Sequence, residues 1–263
     1  MVTGPAIEAI SLSRRFGSRV ALHRLDLRVE RGCIFGLLGL NGAGKSTTLR
    51  ILSTLLPATA GRASILGIDV QEDPREARRQ LGIVGEESGR ARLSWRVGDY
   101  LTYFGGLHGL SSSEVRHRAV PILGHLGIED APGRGLHELS AGTRKKVEIV
   151  RAMLPRPPLL LLDEPTKDLD IPTKRLVWAF FRSKVAEDGL TILLTSHDPL
   201  EIEALCETVA VLREGVKVFE GGTAHLLQGG TPIETLSRLL DSETKPNGGE
   251  PWRLAIGSRP KIS

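Results

Sequence analysis

The chain reads Ile34-Phe35-Gly36-Leu37-Leu38-Gly39-Leu40-Asn41-Gly42-Ala43-Gly44-Lys45-Ser46 along the stretch that decides its fold. The apolar run at the start of this stretch predicts a buried strand. The residues beyond it, Thr48-Leu49-Arg50-Ile51-Leu52, have the apolar spacing of a helix. Between the strand and the helix lies the pattern Gly-x-x-x-x-Gly-Lys-Ser, which is typical of a phosphate-binding loop (P-loop). This order of elements predicts an α/β domain that binds a nucleotide.

The chemistry of a P-loop gives each part of this pattern an expected role. Glycines allow backbone N–H groups to wrap around the β-phosphate, and the N-terminus of the following helix adds a favourable dipole. We expect Lys45 to reach the β- and γ-phosphates of ATP, the Ser46 hydroxyl to bind Mg²⁺, and Thr47 to contact the side of the α-phosphate. The predicted nucleotide-binding residues of the loop are Gly39, Asn41, Gly42, Ala43, Gly44, Lys45, Ser46 and Thr47.

Short apolar runs elsewhere predict the sheet to which this loop belongs. Residues 6–31 alternate in short stretches, which predicts a small antiparallel strand layer at the start of the domain. Residues 159–162 are four leucines, and residues 190–195 read Leu-Thr-Ile-Leu-Leu-Thr. Both runs are followed by a polar turn, so they predict two more buried strands of a parallel α/β sheet.

A helical pattern replaces the strand pattern between about residues 88 and 150. Residues 97–107 have helical spacing, and Ser111 with Glu114 three positions later predicts a capping box at the start of the next helix. We therefore expect a helical subdomain inserted into the sheet domain. After Leu240 turn-forming residues dominate without apolar periodicity, which predicts a loosely held tail.

The composition is typical of a soluble globular protein. The chain has 263 residues, 40% hydrophobic and 25% charged, and this length favours one domain with subdomains. The net charge of +4 comes from scattered Lys and Arg residues, so nucleic-acid binding is not predicted. Cys33 and Cys206 lack the spacing of a zinc site or a disulfide framework. No apolar run reaches the roughly 18 residues of a membrane-spanning helix, so we expect another chain to form any path across a bilayer.

Two carboxylates, Asp163 and Glu164, directly follow the run of four leucines. They are expected at the C-terminal end of a buried strand, where α/β folds gather their catalytic groups. In that position Asp163 is predicted to hold the Mg²⁺ shell and Glu164 to polarise the attacking water. The pair alone would also fit an exposed acidic turn, and the P-loop favours the catalytic interpretation.

A second glycine-containing segment reads Leu139-Ser140-Ala141-Gly142-Thr143-Arg144. It resembles the Leu-Ser-Gly-Gly-Gln signature of the ATP-binding-cassette (ABC) ATPases and lies at about the distance expected before Asp163. The resemblance implies that Ser140 and Gly142 bind the γ-phosphate of an ATP molecule held by the P-loop of a second subunit. Ser140 is placed to cap a helix whose N-terminus can receive an anion. A head-to-tail dimer with ATP between its chains is therefore expected.

Three further segments are similar to elements of the same family. Residues 165–170 look like the D-loop that crosses the dimer, and His197 looks like the switch histidine that senses the γ-phosphate. Phe16 matches the aromatic residue that stacks on adenine, with ordinary packing in the first strand layer as its alternative. The resemblance thus implies catalytic roles for Lys45, Glu164 and His197.

Four positions depart from the family pattern. They are Leu40 in place of Pro, Ala141 in place of Gly, Thr143 in place of Gln, and Glu86 in place of the Q-loop glutamine. In the family that glutamine touches Mg²⁺ and senses the γ-phosphate. A carboxylate supplies a hard oxygen ligand with the same reach, so Glu86 is expected to bind the metal with Ser46 and Asp163. The alternative is that Glu86 faces solvent beside Glu87.

The resemblance to ABC ATPases covers residues 6–225, and residues 226–263 are expected to form a C-terminal helix and a tail. The segments Leu52-Ser53-Thr54-Leu55-Leu56 and Gly67-Ile68-Asp69-Val70 are most similar to the drug and antibiotic exporter (ABC-2) branch. This similarity implies an ATPase on the cytoplasmic face of the cell membrane. Its expected partners are a six-helix permease and a second ATP-binding subunit, which is either identical or a sibling.

Trp95 lies near the start of the predicted helical subdomain and is a candidate anchor for the permease. Packing within the subdomain core is the alternative for this side chain. For the whole protein, one alternative is an ABC ATPase that acts in DNA repair, translation or cluster assembly without a membrane partner. The other is a regulatory cassette without catalysis, which does not explain why Lys45, Asp163, Glu164 and His197 are all present.

Overall fold

The computed structural model of the protein describes residues 4–85 and 94–227. Within these ranges the strands are β1 (Ile7–Phe16), β2 (Arg19–Val29), β3 (Ile34–Leu38), β4 (Ala60–Ile65), β5 (Ile68–Asp69), β6 (Leu81–Val84), β7 (Leu159–Asp163), β8 (Thr191–Ser196), β9 (Thr208–Arg213) and β10 (Val216–Gly222). The helices are α1 (Lys45–Leu52), α2 (Pro74–Arg79), α3 (Val97–Leu107), α4 (Ser112–His125), α5 (Ala141–Met153), α6 (Ile171–Asp188), α7 (Pro199–Leu205) and α8 (Thr223–Leu227). No helix in these ranges is both long and apolar enough to span a membrane.

Two sheets form the framework of the domain. The antiparallel sheet has the strand order β2-β1-β4-β5, and it confirms the strand layer predicted for residues 6–31. The other sheet has the order β10-β9-β3-β8-β7-β6. Its neighbouring strands are parallel except for β9 and β10, which form an antiparallel hairpin at one edge. The predicted α/β fold, with a parallel sheet behind the P-loop and an antiparallel subdomain, is therefore confirmed.

The strands β3, β8 and β7 lie side by side in the parallel sheet. Every residue of β3 is buried, and this strand ends immediately before the P-loop, as predicted. In the pairing register Asp163 lies beside Thr195, and Leu38 lies beside Ser196. Because parallel strands end at the same edge of a sheet, the P-loop, the two carboxylates and the segment around His197 meet there.

The two sheets are linked at the P-loop by backbone hydrogen bonds through Gly215, in the turn between β9 and β10. The Gly215 N–H donates to the Ala43 carbonyl at 2.9 Å, and the Gly215 carbonyl accepts from the His23 N–H at 2.8 Å. His23 belongs to β2 of the antiparallel sheet. One residue thus bonds both the nucleotide-binding loop and the second sheet.

The helical region is described from residue 94, and between residues 94 and 153 it contains α3, α4 and α5. In this range the extended pairing is limited to an isolated bridge between Arg96 and Gly135. Its buried residues, including Tyr100 and Val147, belong to the same apolar cluster as Leu162 of the parallel sheet. The helical region therefore packs on the sheet through a shared core.

The start of α4 has the predicted capping box. Ser111 Oγ accepts a hydrogen bond from the Glu114 N–H at 3.3 Å, and the Glu114 carboxylate accepts one from the Ser111 N–H at 2.8 Å.

We expect Ser111→Ala to lower the free energy of unfolding by about 1 kcal/mol, because the hydroxyl acceptor at the helix start is lost. Denaturant titration followed by circular dichroism measures this. Ser112→Ala, one position later and outside the cap, is the control, and equal midpoints for the two variants would contradict the prediction.

Two of the predictions fall on residues outside the described ranges. Glu86, the expected third metal ligand, is one of them, and the tail expected after Leu240 is the other. The C-terminal helix expected from residue 226 is described only as far as residue 227. The domain limits at residues 6 and 225 and the start of the helical subdomain near residue 88 stay predictions.

Candidate nucleotide site

Two P-loop positions require glycine, Gly44 through its backbone conformation and close packing, and Gly39 through close packing. Gly44 precedes α1 with a φ of 109°, and a Cβ there would lie 2.7 Å from Leu22 Cδ2 and 2.8 Å from the Ala21 carbonyl oxygen. At Gly39 a Cβ would lie 2.5 Å from the Leu212 carbonyl oxygen. Among the described residues, no side chain caps the N-terminus of α1. An uncapped helix start behind a glycine loop is a site for an anion such as phosphate.

Lys45 begins α1, and its side chain is folded back along the loop. Its Nζ donates to the carbonyl oxygens of Gly39 at 2.7 Å and Leu40 at 3.3 Å. The same Nζ lies 3.5 Å from Glu164 Oε1, and both residues are buried. The ammonium group is therefore held at the centre of the loop, close to the predicted catalytic carboxylate.

Asp163 lies between two hydroxyl groups at the end of β7. Its Oδ1 accepts from Thr195 Oγ1 at 2.6 Å and from Ser46 Oγ at 3.2 Å. Mg²⁺ prefers oxygen ligands and usually takes one or two from the protein, with phosphates and waters completing its shell. The Asp163 carboxylate and the Ser46 hydroxyl next to the P-loop fit that donor set, so the two sequence-predicted ligands are brought together. The third, Glu86, lies outside the described residues.

Glu164 and His197 form a hydrogen-bonded pair beside Lys45. The His197 Nδ1 lies 2.7 Å from Glu164 Oε2, and Nδ1–H donates to the carboxylate in the tautomer that suits this contact. Glu164 has a φ of 50°, which is unfavourable for a residue with a Cβ. Its N–H donates to both the carbonyl oxygen and Oγ1 of Thr195 at 3.2 Å. The neighbouring strand thus holds the backbone that presents the carboxylate.

The P-loop and Glu164 face a cavity of about 530 Å³, whose described lining does not include Gly39, Asp163 or His197. Its lining includes the predicted residues Phe16, Asn41, Gly42, Ala43, Gly44, Lys45, Ser46, Thr47 and Glu164. Phe16 is 46% exposed there, and the Arg14 guanidinium lies 4.5 Å from the centre of its ring. An exposed aromatic ring at the rim of the cavity fits adenine stacking better than packing in the strand layer.

Several residues of this site were not predicted from the sequence. Arg19, Arg50 and Lys167 also line the cavity and add positive charge around the P-loop. Thr195 bonds to Asp163 and to the Glu164 backbone. A signal for Thr195 was available, because it ends the apolar run of residues 190–195 and so had to lie at the same sheet edge as Asp163.

Ser140 and Gly142 lie apart from these groups. Ser140 caps α5, with its Oγ accepting from the Thr143 N–H at 3.1 Å. At Gly142 an added Cβ would lie 3.1 Å from Leu169 Cδ2, so the glycine lies close to the predicted D-loop. The described residues that line the cavity do not include Ser140 or Gly142. The structure of one chain therefore does not bring the two predicted γ-phosphate ligands to its own P-loop.

Residues 22–167, which carry the P-loop, the capped helix α5 and both carboxylates, match the family model described as ABC transporter. The chain belongs to the ABC transporter family. It is the ATP-binding cassette of that family, an ATPase.

Two curated relatives of the cassette are named after export or drug resistance. It is 37% identical to the daunorubicin resistance ATP-binding protein DrrA2 of Streptomyces coeruleorubidus, over 89% of this chain and 72% of that protein. It is also 37% identical to the Nod factor export ATP-binding protein I of Cupriavidus pinatubonensis, over 85% of this chain and 69% of that protein.

Solved structures of other cassettes share the fold. An ATP-binding subunit of an ABC transporter is similar with a TM-score of 0.80 at 28% identity, over 89% of this chain and 99% of the other. A bacterial ABC transporter cassette solved as a dimer is similar with a TM-score of 0.76 at 26% identity, over 82% of this chain and 98% of the other.

Proposed function

We propose that this cassette hydrolyses ATP to power the export of a substrate through a separate membrane permease, at the cytoplasmic face of the cell membrane. The observation that carries the proposal is the 37% identity, over most of the chain, to ATP-binding proteins of drug resistance and Nod factor export. These names favour an exporter over an ABC ATPase of DNA repair, translation or cluster assembly.

In the proposed reaction, the P-loop N–H groups and Lys45 bind the β- and γ-phosphates and hold the γ-phosphorus for attack by water. Glu164 accepts a proton from that water, and the hydrogen bond from His197 orients the carboxylate. Asp163 and Ser46 would hold Mg²⁺, which neutralises charge on the phosphate oxygens when it is bound. Glu86 stays a candidate for a further metal ligand, and Phe16 for the adenine contact.

We further propose that the active form contains two ATP-binding subunits. Ser140 and Gly142 lie outside the cavity of their own chain, and Ser140 is exposed at the N-terminus of α5. A second subunit facing head to tail would present these groups to the γ-phosphate, where a helix N-terminus stabilises negative charge. Such a site is complete only when ATP and both chains are together, so ATP binding would close the dimer and hydrolysis would reopen it.

The surface around Trp95 is the proposed docking site for the permease. Trp95 is half-buried, and its ring meets that of Tyr103 edge to face with centroids 5.1 Å apart. Both side chains line a shallow cavity of about 550 Å³, and Tyr103 is 40% exposed. The Trp95 side chain also packs against the buried core, so it joins the interior to this exposed surface.

We expect Trp95→Ala to weaken the complex with the permease roughly 30-fold or more, because buried aromatic anchors contribute about 2 kcal/mol or more at interfaces. Copurification and permease-stimulated ATPase activity measure the effect. Val120→Ala, which truncates an exposed apolar side chain on α4, is the control. The anchor role is wrong if folded Trp95→Ala assembles and responds to the permease as the unaltered protein does.

The export function is tested by producing the chain with candidate six-helix membrane proteins of the same genome and reconstituting each pair in vesicles. We expect ATPase activity to rise on assembly and ATP-dependent flux of a transported compound to follow. If the chain instead shows full activity alone and copurifies with ribosomes or DNA, the alternative class of ABC ATPase is correct.

A further inference from the structure

Glu201 of α7 is a buried carboxyl group outside the nucleotide cavity. It is 2% exposed, and its Oε1 accepts hydrogen bonds from Thr166 Oγ1 at 2.5 Å and from Trp178 Nε1 at 3.3 Å. Burial raises the pKa of Glu201, and the hydrogen bonds from these donors oppose the shift. Burying a carboxyl group is unfavourable unless polar partners compensate for it, so the two donors support its place in the core.

The bond between Thr166 and Glu201 joins the segments that carry the proposed catalytic pair. Thr166 follows Glu164 by two residues, and Glu201 follows His197 by four, in the first turn of α7. Both residues are buried, and neither is among the described residues lining the nucleotide cavity. Glu201 therefore links the loop after β7 to the helix that follows His197 from within the core.

The backbone at Glu164 needs such support. Its φ of 50° is a sparsely populated conformation that persists only where surrounding contacts fix it. On one side the Glu164 N–H is held by Thr195. Two residues after Glu164, Thr166 donates a buried hydrogen bond to Glu201, which holds the loop from the other side.

We propose that Glu201 is a positioning residue for hydrolysis, which fixes the loop that carries Glu164 to the helix that follows His197. The inference rests on the proposed roles of Glu164 and His197 in the reaction. Without this connection the two side chains would still be present, but their 2.7 Å contact would depend on the bonds of Asp163 and Glu164 with Thr195 alone. Small displacements of catalytic groups lower turnover more than they lower substrate affinity.

Three substitutions separate positioning from packing. Thr166→Val keeps the side-chain volume and removes the donor to Glu201, and Thr166→Ser restores the hydroxyl. Trp178→Phe removes the donor on α6 and leaves the bond between Thr166 and Glu201 intact. We expect Thr166→Val to lower kcat about tenfold or more with the KM for ATP within about twofold, and Thr166→Ser to recover most of the loss. Trp178→Phe is expected to lower the melting temperature with kcat within about twofold of the unaltered protein.

Nitrogen-15 NMR of the His197 ring gives a readout that loss of stability alone does not change. The hydrogen-bonded Nδ1 signal is expected in the unaltered protein and in Trp178→Phe, and its loss is expected in Thr166→Val. If Thr166→Val keeps its kcat and its His197 signal, Glu201 is a packing residue and the proposal is wrong. Should Thr166→Val not fold, Thr166→Ala removes the same donor with a smaller side chain and is judged by the same two measurements.

Glu164→Gln, assayed in parallel, distinguishes this proposal from the proposed reaction. Normal turnover in Glu164→Gln would refute the role of Glu164 itself. An inactive Glu164→Gln together with unaltered kcat in Thr166→Val would refute the positioning role of Glu201 alone.

Discussion

Glu164→Gln is expected to lower kcat for ATP hydrolysis by roughly 10²–10⁴-fold, which is the usual effect of removing a general base. The amide has nearly the same shape but does not accept a proton from water at neutral pH. Its loss of charge also removes repulsion between this side chain and the phosphates, so ATP binding is expected to persist. A stable ATP-bound dimer should accumulate, because closure no longer ends in hydrolysis.

Single-turnover hydrolysis of labelled ATP and size-exclusion chromatography with ATP measure the two parts of this prediction. Glu203→Gln, an exposed glutamate on α7, is the matched control and is expected to behave as the unaltered protein does. Near-normal turnover in purified Glu164→Gln, with contaminating ATPases excluded, would defeat the assignment of the general base.

Lys45→Met is expected to weaken ATP binding on the order of 10²-fold or more. Lys45 Nζ is the buried cation of the loop, and it is held by two carbonyl oxygens and by Glu164. Removing one partner of a buried charged pair costs about 3–5 kcal/mol, and the phosphates would lose the same partner on binding. Methionine keeps the length and the apolar stem, so the loss reports the charge.

Equilibrium binding of a fluorescent ATP analogue, with the melting temperature recorded beside it, measures this effect. Lys184→Met is the control, since that ammonium pairs with Glu187 and Asp188 at the end of α6, away from the cavity. Lys45→Met that binds the analogue as tightly as Lys184→Met does would show that Lys45 makes no contact with the phosphates.

The parts of this structure that depend on local sequence were predictable. The glycines before α1 predict the P-loop, because Gly44 adopts a φ that other residues avoid. Ser111 and Glu114 predict the start of α4, because both halves of a capping box lie within four residues. In each case the physical cause and the sequence signal occupy the same short segment.

Contacts between distant segments were harder to predict. β3 pairs with β8 and β9, which follow it by more than 150 residues, and the spacing of apolar residues does not specify which strands become neighbours. The hairpin of β9 and β10 was also missed, although its turn at Glu214 and Gly215 contains the Gly typical of hairpins. The network of Glu201 with Thr166 and Trp178 joins three elements, so no segment of the sequence contains its signal.

The backbone bonds of Gly215 connect the P-loop to both sheets. The loop lies between β2, which packs closely against Gly44, and the β9–β10 turn, which is hydrogen-bonded to Ala43. If the loop shifts when a phosphate enters or leaves, these bonds connect that shift to the antiparallel sheet. The same backbone bonds hold the loop for nucleotide and connect it to the second sheet, so a change in one property is expected to change the other.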